Sequence, residues 1–448
     1  MGDPRGRALD SRPSPFAEPF VFATGIECSY PVVAGRDGRL TRVDELERCF
    51  HYKRWREDLA LVRELGIRYL RYGPPLYRMH LAPGRYDWSF ADDVFAEMFR
   101  LGIEPIVDLC HFGVPDWTDG FQDPDWPSLF AEYAAAFAAR YPWVRLYTPV
   151  NEMFVAAKAS ALFGMWNERR RDEQSFVTAL KHLVRANLLA AESIRRQRPD
   201  AWFIQSESAE YFHQGGTDPA CAAVADFENQ RRFLSTDLLY GHPVRDDVRE
   251  YLRANGLGDV EYAWFMQPRL PNGVVLGLDF YRRNEQIVMP GGGIDPSGDI
   301  FGWYPIARQY YERYRLPLMH TETNNIGGGQ SEAPGWLWRQ FLNVRLLRSE
   351  GVPVLGFTWY SLHDQLDWDV GLIDERNVVN PIGLYDLDRR IRPVGSAYRA
   401  LIHSNPVDCG RGARSPGRCS GRRPLRHGGY KRRVSPGGLL RGICASDG

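Results

Sequence analysis

The chain has 448 residues, 44% hydrophobic, 25% charged and 13% aromatic, a make-up that excludes global disorder and allows a sizeable apolar core. Its 56 Lys and Arg balance 56 Asp and Glu, which argues against bulk attraction to nucleic acid or to a membrane surface. The balance is uneven: residues 409–448 hold nine Arg, one Lys and one Asp, a net +9 that leaves −9 on residues 1–408.

Residues 1–18, rich in Pro, Arg and Ser, read as a loose leader without the apolar centre of a secretory signal. No run of about 18 apolar residues suggests a membrane-spanning helix. Cys28, Cys49, Cys110 and Cys221 are scattered and form no CxxC pair, so they read as reduced thiols of a cytoplasmic protein.

From residue 19 to 405 short apolar stretches alternate with helical periodicity. Strands are expected at 20–27, 67–73, 104–112, 145–152, 202–208, 273–281, 315–323 and 352–361. Helices are clearest at 52–65, 91–101, 127–139, 174–197, 335–347 and 393–403, with Gly66, Gly102 and Gly351 placed to end three of them. Strict alternation implies a parallel sheet, and eight units closing on themselves give a single (β/α)8 TIM barrel, an α/β fold. An open doubly wound sheet is the alternative, but FATGIECSY after the first strand has one glycine where a phosphate-binding turn needs several. Residues 406–448 lose all periodicity and read as a disordered Gly/Arg-rich tail; the abrupt change past Val407 resembles a shift of reading frame.

In a parallel barrel the chemistry gathers at the C-terminal ends of the strands. Glu152 ends the fourth strand in TPVNEM and Glu322 ends the seventh in PLMHTETNN. These strands lie across a barrel from one another, so both carboxyl groups can enter one pit, and glycosidic bond cleavage uses two carboxyl groups flanking the bond. One must carry a proton near neutral pH while the other is ionised. Asn151 can donate to a sugar hydroxyl beside that bond, and His111, ending the third strand, to a hydroxyl further round the ring. Arg71, ending the second strand, would favour the ionised form of Glu322 if placed beside it. Tyr281, ending the sixth strand, can orient Glu322. Trp359, Tyr360 and Trp368 offer flat apolar faces for a sugar. No His or Cys spacing suggests a metal, and no cofactor is implied.

These stretches resemble the family 1 glycoside hydrolases, the retaining β-glucosidase group of the barrel hydrolases. CFHYKRW and the Arg71 that follows it are similar to the family's opening. HFGVP is similar to its His-Trp-x-x-Pro, TPVNEM to Thr-x-Asn-Glu-Pro, GLDFY to Gly-x-Asn-Tyr-Tyr, HTETNN to Thr-Glu-Asn, and WYSLHDQLDW to the run after strand eight. The resemblance covers about residues 20–403 and implies a retaining β-glycosidase with Glu152 as acid/base, Glu322 as nucleophile and a carbohydrate substrate. It also implies a cis Tyr360–Ser361 peptide. The departures fall on substrate contacts. A sugar-binding Gln counts onto Pro31, so Glu27 is expected to take over some of its contacts; a stacking Trp counts onto Tyr360, a Glu onto Asp367, and a Pro onto Met153. The subgroup is similar to the glycosidase-like half of bacterial proteins fused to a dTDP-4-dehydrorhamnose reductase-like domain, a half not seen in this chain. A transglycosidase using an acceptor alcohol and a non-catalytic sugar-binding module tied to nucleotide-sugar metabolism stay open, as does the oligomeric state.

Overall fold

The computed structural model describes residues 15–35, 38–267 and 273–404. The expectations for residues 1–14 and for the basic tail lie outside these residues. Eight parallel strands close into one barrel: β1 (Val21–Ile26), β2 (Tyr69–Tyr72), β3 (Glu104–Asp108), β4 (Leu146–Thr148), β5 (Trp202–Ser208), β6 (Val274–Asp279), β7 (Leu318–Glu322) and β8 (Val354–Trp359). Each pairs with its successor and β8 returns to β1, which excludes the open sheet. Every strand lies inside the stretch expected for it. The six expected helices form at His51–Glu64, Ser89–Leu101, Trp126–Arg140, Glu173–Gln197, Ala333–Ser349 and Pro393–Ser404.

A fully buried strand sends alternate side chains to opposite faces. Outward residues such as Leu70, Val107, Phe203, Leu276 and Phe357 join the large core under the helices. Inward residues Val21, Ala23, Tyr69, Ile106, Leu146, Ile204, Val275 and Met319 form a separate cluster that fills the N-terminal half of the barrel. Phe16, in the stretch read as a leader, joins that cluster. Its ring meets Tyr69 edge-on at 5.0 Å, and the Ala17 N–H donates to the Tyr69 hydroxyl at 3.1 Å. Burying such a ring contributes about 2–3 kcal/mol. Two residues further along the strands the same inward parity falls on Gly25, Arg71, Asp108, Thr148, Ser206 and Gly277, so the barrel interior turns from apolar to polar towards its C-terminal end.

The sequence reading missed the helix Trp303–Tyr314 between β6 and β7 and four helices between β5 and β6, from Pro219–Arg231 to Asp259–Phe265. Trp303–Tyr314 is aromatic-rich and has little intrinsic helix preference. Its start is held from a distance: the buried Glu285 carboxylate accepts the backbone N–H groups of Phe301 at 2.7 Å and Gly302 at 2.8 Å. Among the described residues no helix is long and apolar enough to cross a membrane. Cys28, Cys49, Cys110 and Cys221 are buried free thiols.

Candidate active site

The loops beyond the C-terminal strand ends enclose a cavity of about 300 Å³. Glu27, His111, Glu152, Tyr281, Glu322, Tyr360 and Trp368 all line it.

Glu322 reaches the cavity through an irregularity in β7. Leu278 of β6 pairs with His320, yet the next residue, Asp279, pairs with Glu322, so β7 carries one extra residue at Thr321. Strict alternation from the inward Met319 would turn Glu322 outward; a bulge of this kind re-aims the side chain. The Arg71 guanidinium donates to Oε1 of Glu322, and the Tyr281 hydroxyl donates to Oε2 at 2.6 Å. Both oxygens are thus held by donors. Burial and the charge of Glu322 push the Tyr281 phenol well above its ordinary value, so it remains a donor.

Glu152 stands in the loop between β4 and the short helix Met153–Ala157. Its backbone is left-handed, with φ 40°, a conformation that costs a non-glycine residue about 1–3 kcal/mol. Two bonds hold it there: its N–H donates to the Ser206 carbonyl at 3.0 Å, and its own carbonyl accepts from the Ala156 N–H at 2.8 Å. Burial pushes its carboxyl well above the carboxylate range, and the charges of Asp279, Glu322 and Glu207 add to this against the pull of Arg71. Glu152 is therefore a proton carrier at neutral pH.

Asn151 and Arg71 stand behind the lining. The Asn151 amide oxygen accepts from Arg71 at 2.9 Å, and its amide nitrogen lies 3.3 Å from His111 Nε2. His111 Nδ1 donates to Asp108 at 2.7 Å. Burial opposes protonation of His111, but Asp108 and then Glu27 and Glu322 raise it to about 9, so the ring is a cation at neutral pH. Its Nε2 lies 3.4 Å from Glu27 Oε2. The other Glu27 oxygen accepts the Trp368 indole N–H at 2.7 Å. Burial lifts Glu27 to about 7, His111 lowers it and Glu322 raises it. Tyr360 lies parallel to the His111 ring, 6.2 Å between centroids and 7° between planes. It fits because residue 25 is glycine: a Cβ there would stand 1.9 Å from the Tyr360 ring. The Tyr360–Ser361 peptide is cis, as expected.

Two residues assigned to substrate are engaged elsewhere. Trp359 is fully buried in the outer core, with its indole N–H donated to the Ile382 carbonyl at 2.9 Å. β8 parity turns it away from the barrel interior. Asp367 is also fully buried. Its carboxylate accepts the backbone N–H groups of Val378 at 2.8 Å and of Arg376 and Asn377 at 2.9 Å, and a bond from the Arg48 guanidinium. The short side chain is saturated by its own loop and by Arg48, and it is not among the residues lining the cavity.

Several charged residues of the site were missed. Asp108 and Asp279 share the inward face of their strands with Ile106 and Val275, a parity signal that was legible in the sequence. Lys158 and Glu210 also line the cavity, paired at 3.0 Å. Among the described residues the grouping with metal-ligand proximity is His51, Asp58 and His363. It lies off the cavity. Arg389 donates to both Asp58 oxygens, and the Tyr72 hydroxyl bonds His51 Nε2 at 3.1 Å.

Residues 42–233 match the family model described as glycosyl hydrolase family 1. The chain is 22% identical over 401 residues to beta-glucosidase A of Thermotoga maritima, covering 80% of this chain and 88% of that protein. It is 23% identical over 415 residues to the aryl-phospho-beta-D-glucosidase BglA of Bacillus subtilis, covering 78% and 82%. Among solved structures, a family 1 β-glucosidase from Thermotoga maritima superposes with a TM-score of 0.72 at 18% identity, over 88% of this chain and 99% of that one.

Proposed function

We propose that this chain, which belongs to glycosyl hydrolase family 1, hydrolyses β-glycosides by double displacement, with Glu322 as nucleophile and Glu152 as acid and then base. The observation that carries the reading is the opposite electrostatic setting of two carboxyl groups on one cavity. Glu322 is held by Arg71 and Tyr281, whereas Glu152 is buried against other carboxyl groups.

In the first step Glu322 attacks the anomeric carbon, the bond to the leaving oxygen breaks, and Glu152 passes its proton to that oxygen. Esterification removes the charge of Glu322, and with it one of the influences that keep Glu152 protonated. Glu152, now ionised, takes a proton from water as the water attacks the same carbon, and Glu322 leaves as carboxylate. Glu27, His111 and Trp368 form the polar end that would grip the sugar hydroxyls. Val155, Ala159, Phe163 and Ile326 give the cavity an apolar lining that suits an aryl or alkyl leaving group. The buried free thiols fit a reducing compartment such as the cytoplasm.

A panel of aryl β-glycosides (glucoside, galactoside, fucoside, mannoside and xyloside) tests the activity, and NMR of the freshly released sugar tests its stereochemistry. Cleavage with the β-anomer appearing first is expected. The α-anomer first would overturn double displacement. Sugar binding without turnover on any member would favour a binding module, and transfer to added alcohol in preference to water a transglycosidase.

A further inference from the structure

We propose that Asp279 is a third carboxyl of the reaction centre, a positioning residue that acts on Glu152 through its charge. The inference rests on the hydrolase reading above.

Asp279 ends β6, between the strand that packs towards Glu152 and the strand that bears Glu322. It is fully buried, and it pairs in register with Ser208 of β5 on one side and Glu322 of β7 on the other. Its Oδ2 accepts the Ser206 hydroxyl at 2.6 Å. The carbonyl of the same Ser206 accepts the Glu152 N–H at 3.0 Å. One residue of β5 therefore holds the acid/base by its backbone and Asp279 by its side chain, which fixes the two carboxyl-bearing residues to a common support.

The charged and titratable groups around the two are few. Glu322 faces Asp279 from β7, Arg71 from β2 bridges to Glu322, Glu207 from β5 lies near Glu152, and Tyr281 follows on the same loop as Asp279. Burial and then Glu322 lift the Asp279 carboxyl well above its ordinary range, while Arg71 and the hydroxyls of Ser206 and Thr321 pull it back. Asp279 in turn is the charge that bears most on Glu152, ahead of Glu322. The two buried carboxyl groups titrate as a coupled pair, and an anion at Asp279 holds the proton on Glu152 to higher pH. The alkaline limit of the acid step is thereby set by a residue that never touches the leaving group.

The test is Asp279→Asn, which retains an acceptor for Ser206 and removes the charge. The alkaline limb of kcat/KM against pH is expected to move to lower pH while the acidic limb stays. A lost hydrogen bond or a packing role would lower activity without moving the limb, and that result overturns the proposal. Ser206→Ala is the second variant. It removes a donor that favours the Asp279 anion, so the limb is expected to move the same way by a smaller amount; an unmoved limb in a folded protein counts against the proposal. Carbon-13 NMR of labelled carboxyl groups, with Glu152 assigned through Glu152→Gln, reads the same coupling without turnover. A Glu152 titration unchanged by Asp279→Asn overturns the inference even if the chain hydrolyses glycosides, and a shifted titration sustains it even if the substrate panel fails.

Discussion

Trp368 donates its indole N–H to Glu27 at 2.7 Å, joining the loop after β8 to the end of β1 across one wall of the cavity. That bond fixes one oxygen of Glu27, and the other lies 3.4 Å from His111. A carboxyl group so placed, and lifted to about 7, changes charge near neutral pH.

Glu27 is therefore expected to govern affinity for the sugar more than the rate of bond breaking. Glu27→Gln should raise KM by roughly tenfold, the value of one hydrogen bond to a charged acceptor, and change kcat little. In the native chain KM should fall as pH rises through about 7 and the anion forms opposite His111. This dependence should vanish in Glu27→Gln. A KM profile that keeps its step in the variant would assign the step to another group.

Glu322→Gln should lower kcat by about 10⁴-fold or more, since it removes the carboxylate proposed to form the covalent intermediate. Glu322→Gly should regain activity with added azide or formate, which occupies the space of the lost carboxylate. Product analysis by NMR should then show the opposite anomeric configuration from the native reaction.

Glu152→Ala should separate substrates by leaving group. Alkyl glycosides, which need a proton on the departing oxygen, should slow by about 10²–10⁴-fold. Dinitrophenyl glycosides should slow far less in the glycosylation step. Equal losses on both, measured in single turnovers, would show that Glu152 is not the proton donor.

Asp58 carries a prediction about stability. Burial works to raise its carboxyl, but the hydrogen bond from His51, the charges of His363 and His51 and the hydrogen bond from Arg389 hold it well below 3.8. A carboxyl depressed on folding adds stability above its unfolded value and loses it as pH falls towards the folded one. Asp58→Ala should cost about 3–5 kcal/mol near neutral pH by urea unfolding, because Arg389 is left buried without its partner. The gap between variant and native chain should narrow below about pH 4.

Much of the fold was legible because its cause is local. Each strand is a short apolar stretch closed by polar residues, and each of the six expected helices carries a continuous stripe long enough to name. Trp303–Tyr314 escaped because its aromatic residues weaken the local helix signal and its start is held by Glu285, remote in sequence. Among the site residues, His111 and Tyr281 could be placed by strand ends and chemistry, and Glu27 by the family resemblance. Asp367 could not: its type suits a sugar contact, but three backbone donors of its own loop and the distant Arg48 satisfy it.

Periodicity and residue chemistry are written along the chain, so the succession of eight strand-and-helix units, with Glu322 at a strand end and Glu152 just beyond one, follows from the residues alone. Register between strands is a matter of partners far apart in sequence, and it decided the rest. The extra residue in β7 turns Glu322 into the barrel, and the pairing of Asp279 with it brings a third carboxyl into a space that water does not screen. Burial of that kind arises only when the barrel closes, which is why the charges that tune Glu152 appear in the folded molecule and not in its motifs.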